Sequence, residues 1–485
     1  MHQYPRILLL LAGLYLGIGL TAQNTWQRAA DRLANHPSLK HGSISLCVME
    51  VESGRILAVV SPDQSLRPAS NLKVLTTGSA LAMLGSNYRY TTTLSYEGQI
   101  NGEGQLRGAL ILSGNGDPTL GSTEMEDNPG PTSLLKQLRL SVQRAGIRQV
   151  RGAVVADAHA FGSQAYCRSW PWEDLGNYYA AGVWSLNWHE NMYYLDFQQA
   201  AQGHRPKITG IRPGIPDLTI INELTSGAPG SGDQAYLFGG PYQMERYVRG
   251  SIPAGNGRFS IKGSIPNPPL FLVQELQRSL SEVAIGSGPP EVRFDPPANG
   301  ARKTVFTYRS PPLAAIVHRC NMESVNLYSE ALLRTIGRER GPGASPTGGI
   351  EAMQQYWEGR GLGWSGVYLE DGSGLSPSNA VPARFLAAFM RKMAVGPAEA
   401  ATAFRASLPV AGRSGSMKYS LRGTKAEGRL LAKTGTMRRV RAFTGYATAR
   451  GGQELAFAVI VNDFSGSGGK MRQLLEQFLL ALCEN

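Results

Sequence analysis

Lys433-Thr434-Gly435 occurs once in this 485-residue sequence. Two other clusters of reactive side chains precede it, Ser70-Asn71-Leu72-Lys73 and Ser324-Val325-Asn326. Together they supply a hydroxyl nucleophile, an amine beside it, a second hydroxyl, an amide, and a cation. A serine hydroxyl attacks only when a base takes its proton. Lys73 falls one helical turn after Ser70, on the same face, and can act as that base only as a neutral amine. A free lysine titrates near 10.4, so burial and a second cation must disfavour its charge. Lys433 is the expected cation. A shift of about three pH units corresponds to roughly 4 kcal/mol, within reach of a buried pair. The helix amino terminus at Ser70 also favours developing negative charge. The chemistry indicated is acyl transfer through a serine ester.

The remaining roles follow from residue type. Ser324 can pass a proton to the leaving amine, and Asn326 can orient substrate and lysine. Lys433, with the hydroxyls of Thr434 and Thr436, suits a carboxylate, while Gly435 lets a peptide lie close to the strand. The backbone amides of Ser70 and Thr436 are the expected oxyanion donors, worth about 3–4 kcal/mol each. No metal or organic cofactor is required. Each motif alone is weak, because Ser and Asn also cap helices and other copies exist. Ser133-Leu134-Leu135-Lys136 follows Pro129-Gly130-Pro131 and reads as an exposed amphipathic helix. Ser467-Gly468-Gly469-Lys470 lies in a glycine-rich loop near the chain end, and Ser185-Leu186-Asn187 repeats the Ser-x-Asn pattern.

The positioning elements are legible around these motifs. Ser43 to Val51 and Arg55 to Val60 read as paired strands about the turn Glu52-Ser53-Gly54. Leu72 to Leu84 is apolar with little alternation, as in a buried helix. At the other end, Arg429–Thr436, Val440–Arg450 and Glu454–Asp463 read as strands, and Met471–Cys483 as a closing amphipathic helix. Two strands from one end and three from the other, flanked by terminal helices, predict one antiparallel sheet in a discontinuous α+β domain. That domain is expected to span 23–87 and 304–485. Residues 88–303 change character to short alternating runs between Gly, Pro and Asn turns, a mainly β insertion of one or two subdomains. Leu313 to Thr335 returns to helical patterning, and Gly341 to Gly349 reads as a loop.

Bulk properties narrow the setting. Residues 1–22 carry one basic residue, a short apolar run interrupted by Gly13, Gly17 and Gly19, and a small residue at the end. This describes a secretory signal peptide rather than a spanning helix, which needs about 20 apolar residues. An exported, periplasmic protein without a transmembrane anchor is expected. The rest, roughly 460 residues, is too long for one core. Four cysteines, Cys47, Cys167, Cys320 and Cys483, make no metal-ligand spacing and no disulfide framework, although an oxidising compartment would allow one bridge. The formal charge of +12 becomes +11 once Arg6 leaves with the signal, a basic surface that can attract an acidic polymer such as a nucleic acid or an anionic cell wall, or simply be solvated with no specific partner. No Lys/Arg block or recognition motif points to nucleic acid.

With these residues in place, the chain resembles the exported D-alanyl-D-alanine carboxypeptidase/endopeptidase family, the low-molecular-mass class C penicillin-binding proteins. The triple motif carries the resemblance. So do Arg67-Pro68-Ala69, Gly114-Asn115-Gly116-Asp117-Pro118-Thr119-Leu120, Asp371-Gly372-Ser373-Gly374-Leu375-Ser376 and Leu408-Pro409-Val410-Ala411-Gly412. The resemblance implies a serine DD-peptidase/β-lactamase-like fold with nucleophile Ser70, base Lys73 and proton relay Ser324. Asn326 and Lys433 would position substrate, peptidoglycan stem peptides would be the substrate, and β-lactam antibiotics would acylate Ser70. It also implies that Asp157 meets the side-chain amine of diaminopimelate, with Met437 lining the same pocket. Some relatives add an arginine where this chain has Pro377, so that preference is in question. A serine β-lactamase and a non-catalytic wall-binding scaffold are the alternatives.

Overall fold

The computed structural model describes residues 25–296 and 301–484; the expected signal peptide at 1–22 lies outside them. The chain forms two compact units. The first comprises residues up to 86, 317–324 and 353–485, and the second comprises 87–316 and 325–352.

In the first unit, five strands form one antiparallel sheet in the order Ile56–Val60, Ser43–Glu50, Glu454–Asn462, Val440–Thr448, Leu430–Met437. The two ends of the chain meet where Ser43 pairs with Asn462 and Glu50 with Leu455. Both faces of the central strands are buried, which explains their apolar runs without alternation. One face packs against the terminal helices 25–34 and Gly468–Glu484 through Trp26, Leu33, Leu475 and Phe478. The other carries helix Ala383–Ala394, to whose Met390 carbonyl Tyr446 donates at 2.7 Å. Helix Leu72–Leu84 is buried nearly all round, as its sequence predicts, and ends at Gly85 with φ 86°. At Gly78 an added Cβ would come within 2.7 Å of the Phe389 ring, so this helix needs a residue without a side chain there.

The second unit contains a five-stranded sheet ordered Glu291–Arg293, Val154–Asp157, Leu110–Gly114, Thr91–Tyr96, Lys303–Arg309. Val154–Asp157 runs parallel to both neighbours. Parallel pairing requires crossovers, and helices Pro131–Arg144 and Pro268–Ser281 lie in those connections. The mainly β reading of 88–303 does not include the second helix, which opens on Pro268-Pro269. Prolines are tolerated in a first turn, where their missing N–H is not needed, and Asn267 caps the helix by accepting from Leu270 N.

The unit boundary differs from the expected one at residue 304. Lys303–Arg309 pairs with Thr91–Tyr96. Helix Asn326–Arg340 belongs to the second unit, where Tyr90 Oη lies 3.0 Å from Thr335 Oγ1 and Tyr328 donates to Glu190 at 2.6 Å. Local periodicity shows that this helix is buried but not against which partner. The loop expected at 341–349 is also shorter, since a helix starts at Pro346. All four cysteines are buried free thiols, so none forms a bridge. No helix among the described residues is long and apolar enough to cross a membrane.

Candidate active site

The first unit gathers Ser70, Lys73, Ser324 and Lys433. Ser70 sits in the single 3-10 turn Ala69–Asn71 that leads into helix Leu72–Leu84. Neither this turn nor helix Asn326–Arg340 has a side-chain cap bond. The capping role that competes for Ser70 and Ser324 is therefore not what their hydroxyls do. Ser70 Oγ instead accepts from Lys73 Nζ at 2.9 Å, and Ser324 Oγ accepts from Lys433 Nζ at 2.8 Å. Both serines are half-buried and both lysines fully buried.

Each lysine is held by a second acceptor. Lys73 also donates to the Ser373 carbonyl at 2.7 Å, and Lys433 to the Thr434 carbonyl at 3.0 Å. The Lys433 ammonium is pushed well below the ordinary lysine range, first by burial and then by the Lys73 charge. The expected arrangement has Lys433 depress Lys73 in the same way. Physically the repulsion acts on both, and the proton that leaves belongs to the pair.

The backbone around Ser70 is fixed by close approaches. Ala69 has φ 49°. Gly374, with φ +80°, lies so near that an added Cβ would be 1.9 Å from the Ala69 carbonyl oxygen. At Gly435 a Cβ would meet Pro68 O at 2.5 Å and Asn71 N at 3.2 Å. The space at Gly435 is thus taken by the protein's own turn that carries Ser70. Asn71 Nδ2 donates to Thr444 Oγ1 at 2.9 Å, tying the turn to the next strand. Arg67 Nη2 bonds both Asp463 oxygens at 2.7 Å and fixes the approach.

Sequence reasoning assigned no role to the loop 371–376 beyond its resemblance. Its buried Asp371 accepts from Gly374 N at 2.8 Å, Ser376 N at 2.6 Å and Asn379 Nδ2 at 2.8 Å. These bonds aim the Ser373 carbonyl at Lys73. Gly374→Ala should destabilise the protein by about 1–3 kcal/mol through its left-handed backbone and the clash, and penicillin acylation should slow. Thermal unfolding and a labelling time course check this; an unchanged rate would show that the loop does not position the site.

Lys433, Thr434, Gly435, Thr436 and Met437 lie on the edge strand of the sheet. Near its start, Ala432 N donates to Pro409 O and Ala411 N to Leu430 O, both at 2.9 Å, on the outer side. Backbone direction alternates with period two, so Thr434 and Thr436 also turn their peptide groups outward. That orientation suits Thr436 N–H to an oxyanion beside Ser70. Thr436 is exposed, and Met437 is half-buried. Thr434 Oγ1 donates to Ser416 Oγ at 2.9 Å, a partner that no motif signals.

Two assigned residues lie in the second unit. Asn326 is the first residue of its helix, and its Nδ2 donates to Tyr179 O at 2.6 Å. Asp157 ends strand Val154–Asp157 and is buried. Arg302 Nη1 reaches its Oδ2 at 2.5 Å and His159 Nδ1 its Oδ1 at 2.6 Å. Burial opposes ionisation of this carboxyl, yet Arg302 and then His159 hold it below the usual range. Asp157 therefore already has a cationic partner from its own chain. Pro377 is exposed. The competing motif copies are elsewhere: Ser133, Lys136 and Ser467 are exposed, and Ser185 and Asn187 are buried in the second unit.

A family model described as D-Ala-D-Ala carboxypeptidase 3 (S13) matches residues 26–479. A D-alanyl-D-alanine carboxypeptidase of an Actinomadura species is 28% identical over 454 residues, covering 90% of this chain and 80% of the relative. The crystal structure of penicillin binding protein 4 from Haemophilus influenzae matches with TM-score 0.80 and 22% identity, over 94% of this chain and 98% of that chain. The same protein complexed with a β-lactam matches with TM-score 0.75 and 22% identity. These two structures share the fold of the present chain.

Proposed function

This chain belongs to the D-Ala-D-Ala carboxypeptidase 3 (S13) family, and we propose that it is an exported, periplasmic serine DD-peptidase of peptidoglycan stem peptides. Ser70 attacks the carbonyl before a terminal D-Ala or before a D-Ala-containing cross-link. The Lys73 amine, 2.9 Å from Ser70 Oγ, takes the proton. The amides of Ser70 and Thr436 receive the oxyanion. Ser324, bonded to Lys433, returns a proton to the leaving amine, and water then releases the acyl group from Ser70. The peptide lies along the edge strand, adding a strand to the sheet, with Lys433 and Thr434 toward its carboxylate.

The observation that carries this reading is the pair of buried lysine–serine contacts, Lys73–Ser70 and Lys433–Ser324, within one unit. A β-lactam presents a strained amide to the same nucleophile and should leave a lasting acyl-enzyme. The test is incubation of purified protein with a synthetic peptide ending in D-Ala-D-Ala, with a cross-linked dimer, and with fluorescent penicillin. Release of D-Ala or resolution of the dimer, together with stable labelling, is expected. Rapid turnover of penicillin would identify a β-lactamase instead. Wall binding with neither reaction would identify a scaffold.

A further inference from the structure

In the second unit, strand Gln234–Phe238 pairs antiparallel with Glu245–Pro253, placing Tyr236 opposite Arg249 and Phe238 opposite Tyr247. Leu237, between the two aromatics, is buried, so Tyr236 and Phe238 share the outward face. Trp172 joins them, its ring 5.1 Å from that of Phe238. Trp172 is 63% exposed and Tyr236 45%. A tryptophan left this open is unusual, and clustered exposed apolar surface marks an interaction site more often than a scattered residue does. Arg249 stacks over Phe238 and Tyr247 at 5.4 and 5.3 Å, flattening the surface.

The arrangement is rigid. The turn Trp172–Asp174 is locked to the strand by buried Asn177, which accepts from Leu237 N at 3.0 Å and donates to the carbonyls of Glu173 and Asp174. Gly176 lies so close that a Cβ would be 2.0 Å from Leu237 O. A preformed surface of this kind binds with little ordering cost.

Charge selects the occupant. Arg249 is paired with Glu223 at 2.5 Å, Tyr247 donates to Glu245 at 3.0 Å, and Glu173 follows Trp172 in the chain. The one guanidinium is thus already paired, two further carboxylates belong to the residues around the platform, and a phosphate polymer, which needs cations to displace its counterions, would be disfavoured. An uncharged pyranose fits better. The C–H groups on one face of the ring meet the negative face of an aromatic ring, and its hydroxyls can reach the flanking carboxylates.

We propose that Trp172, Tyr236 and Phe238 form a stacking platform for an N-acetylated amino-sugar polymer, the glycan backbone to which the stem peptides are attached. The identity of that polymer rests on the DD-peptidase reading. The platform anchors the enzyme on the wall through sugar, independently of the peptide that Ser70 cleaves.

The test compares full-length wild type with the double variant Trp172→Ala/Tyr236→Ala. An N-acetylglucosamine hexamer is titrated calorimetrically, and retention on insoluble peptidoglycan is measured by sedimentation. The variant should bind the hexamer and the wall about tenfold or more weakly, as on loss of exposed aromatic anchors. Its release of D-Ala from a soluble peptide and its labelling by penicillin should be unchanged. Equal binding by both proteins, no hexamer binding by wild type, or preferential binding of a single-stranded oligonucleotide would overturn the proposal. Failure of wild type on the soluble peptide would overturn the DD-peptidase reading, while the hexamer titration would still decide the platform.

Discussion

Ser70→Ala should abolish labelling by fluorescent penicillin and reduce release of D-Ala about 10⁴-fold or more, the scale seen when a catalytic nucleophile is deleted from other serine hydrolases. The fold should survive, because Ser70 makes no capping bond and its hydroxyl is bonded to Lys73. The parallel variants Ser133→Ala and Ser467→Ala should label at the wild-type rate, since both serines are exposed in local contexts with no buried lysine beside them. Loss of labelling in Ser133→Ala alone would move the nucleophile to the other Ser-x-x-Lys copy and overturn the assignment.

Removal of either buried amine should have the next largest effect, and the two should differ in pH dependence. Lys73→Met deletes the proposed base and should slow acylation about 10³-fold across the pH range. In wild type, the rate should rise with pH along a single-proton limb whose midpoint lies below the ordinary lysine value, because burial and mutual repulsion expel a proton from the pair. Lys433→Met removes one of the like charges, so the limb should move to higher pH as well as lose amplitude. A limb that does not move would mean that the two amines are not coupled.

The same pair should leave a mark on stability, with a definite sign. Lys433 is lowered in the folded state, so between its folded and unfolded midpoints the unfolded chain binds more protons. Stability must then rise with pH across that interval. Below it, both states are protonated and the cost of two buried cations is fully expressed. Urea titrations of wild type against Lys433→Met should show the slope in wild type and a flatter one in the variant.

The first unit was readable because its signals are local. Alternation failed in Ser43–Glu50 and Glu454–Asn462 for the same reason that it failed in Leu72–Leu84: these segments are buried on every side. Apolar runs bounded by turns therefore sufficed to place strands and helix. The second unit was harder. Its parallel strand Val154–Asp157 has neighbours more than thirty residues away in each direction, and helix Pro268–Ser281 opens on a double proline. The role of loop 371–376 was not legible either, since it depends on one buried carboxylate organising three donors.

Residue types and their order pointed to acyl transfer: a serine three positions before a lysine at the head of a buried helical run, a Ser-x-Asn further on, and a single Lys-Thr-Gly on an edge-strand pattern make a set that no one motif makes alone. What the sequence could not determine was proximity, because hydrogen bonding between Lys433 and Ser324 spans 109 residues of chain and is decided by the joining of both chain ends into one sheet. Folding also decided which charges are already satisfied. Asp157, which by type could receive an amine from a substrate, is already paired with Arg302, a partner 145 positions away that only tertiary packing brings to it.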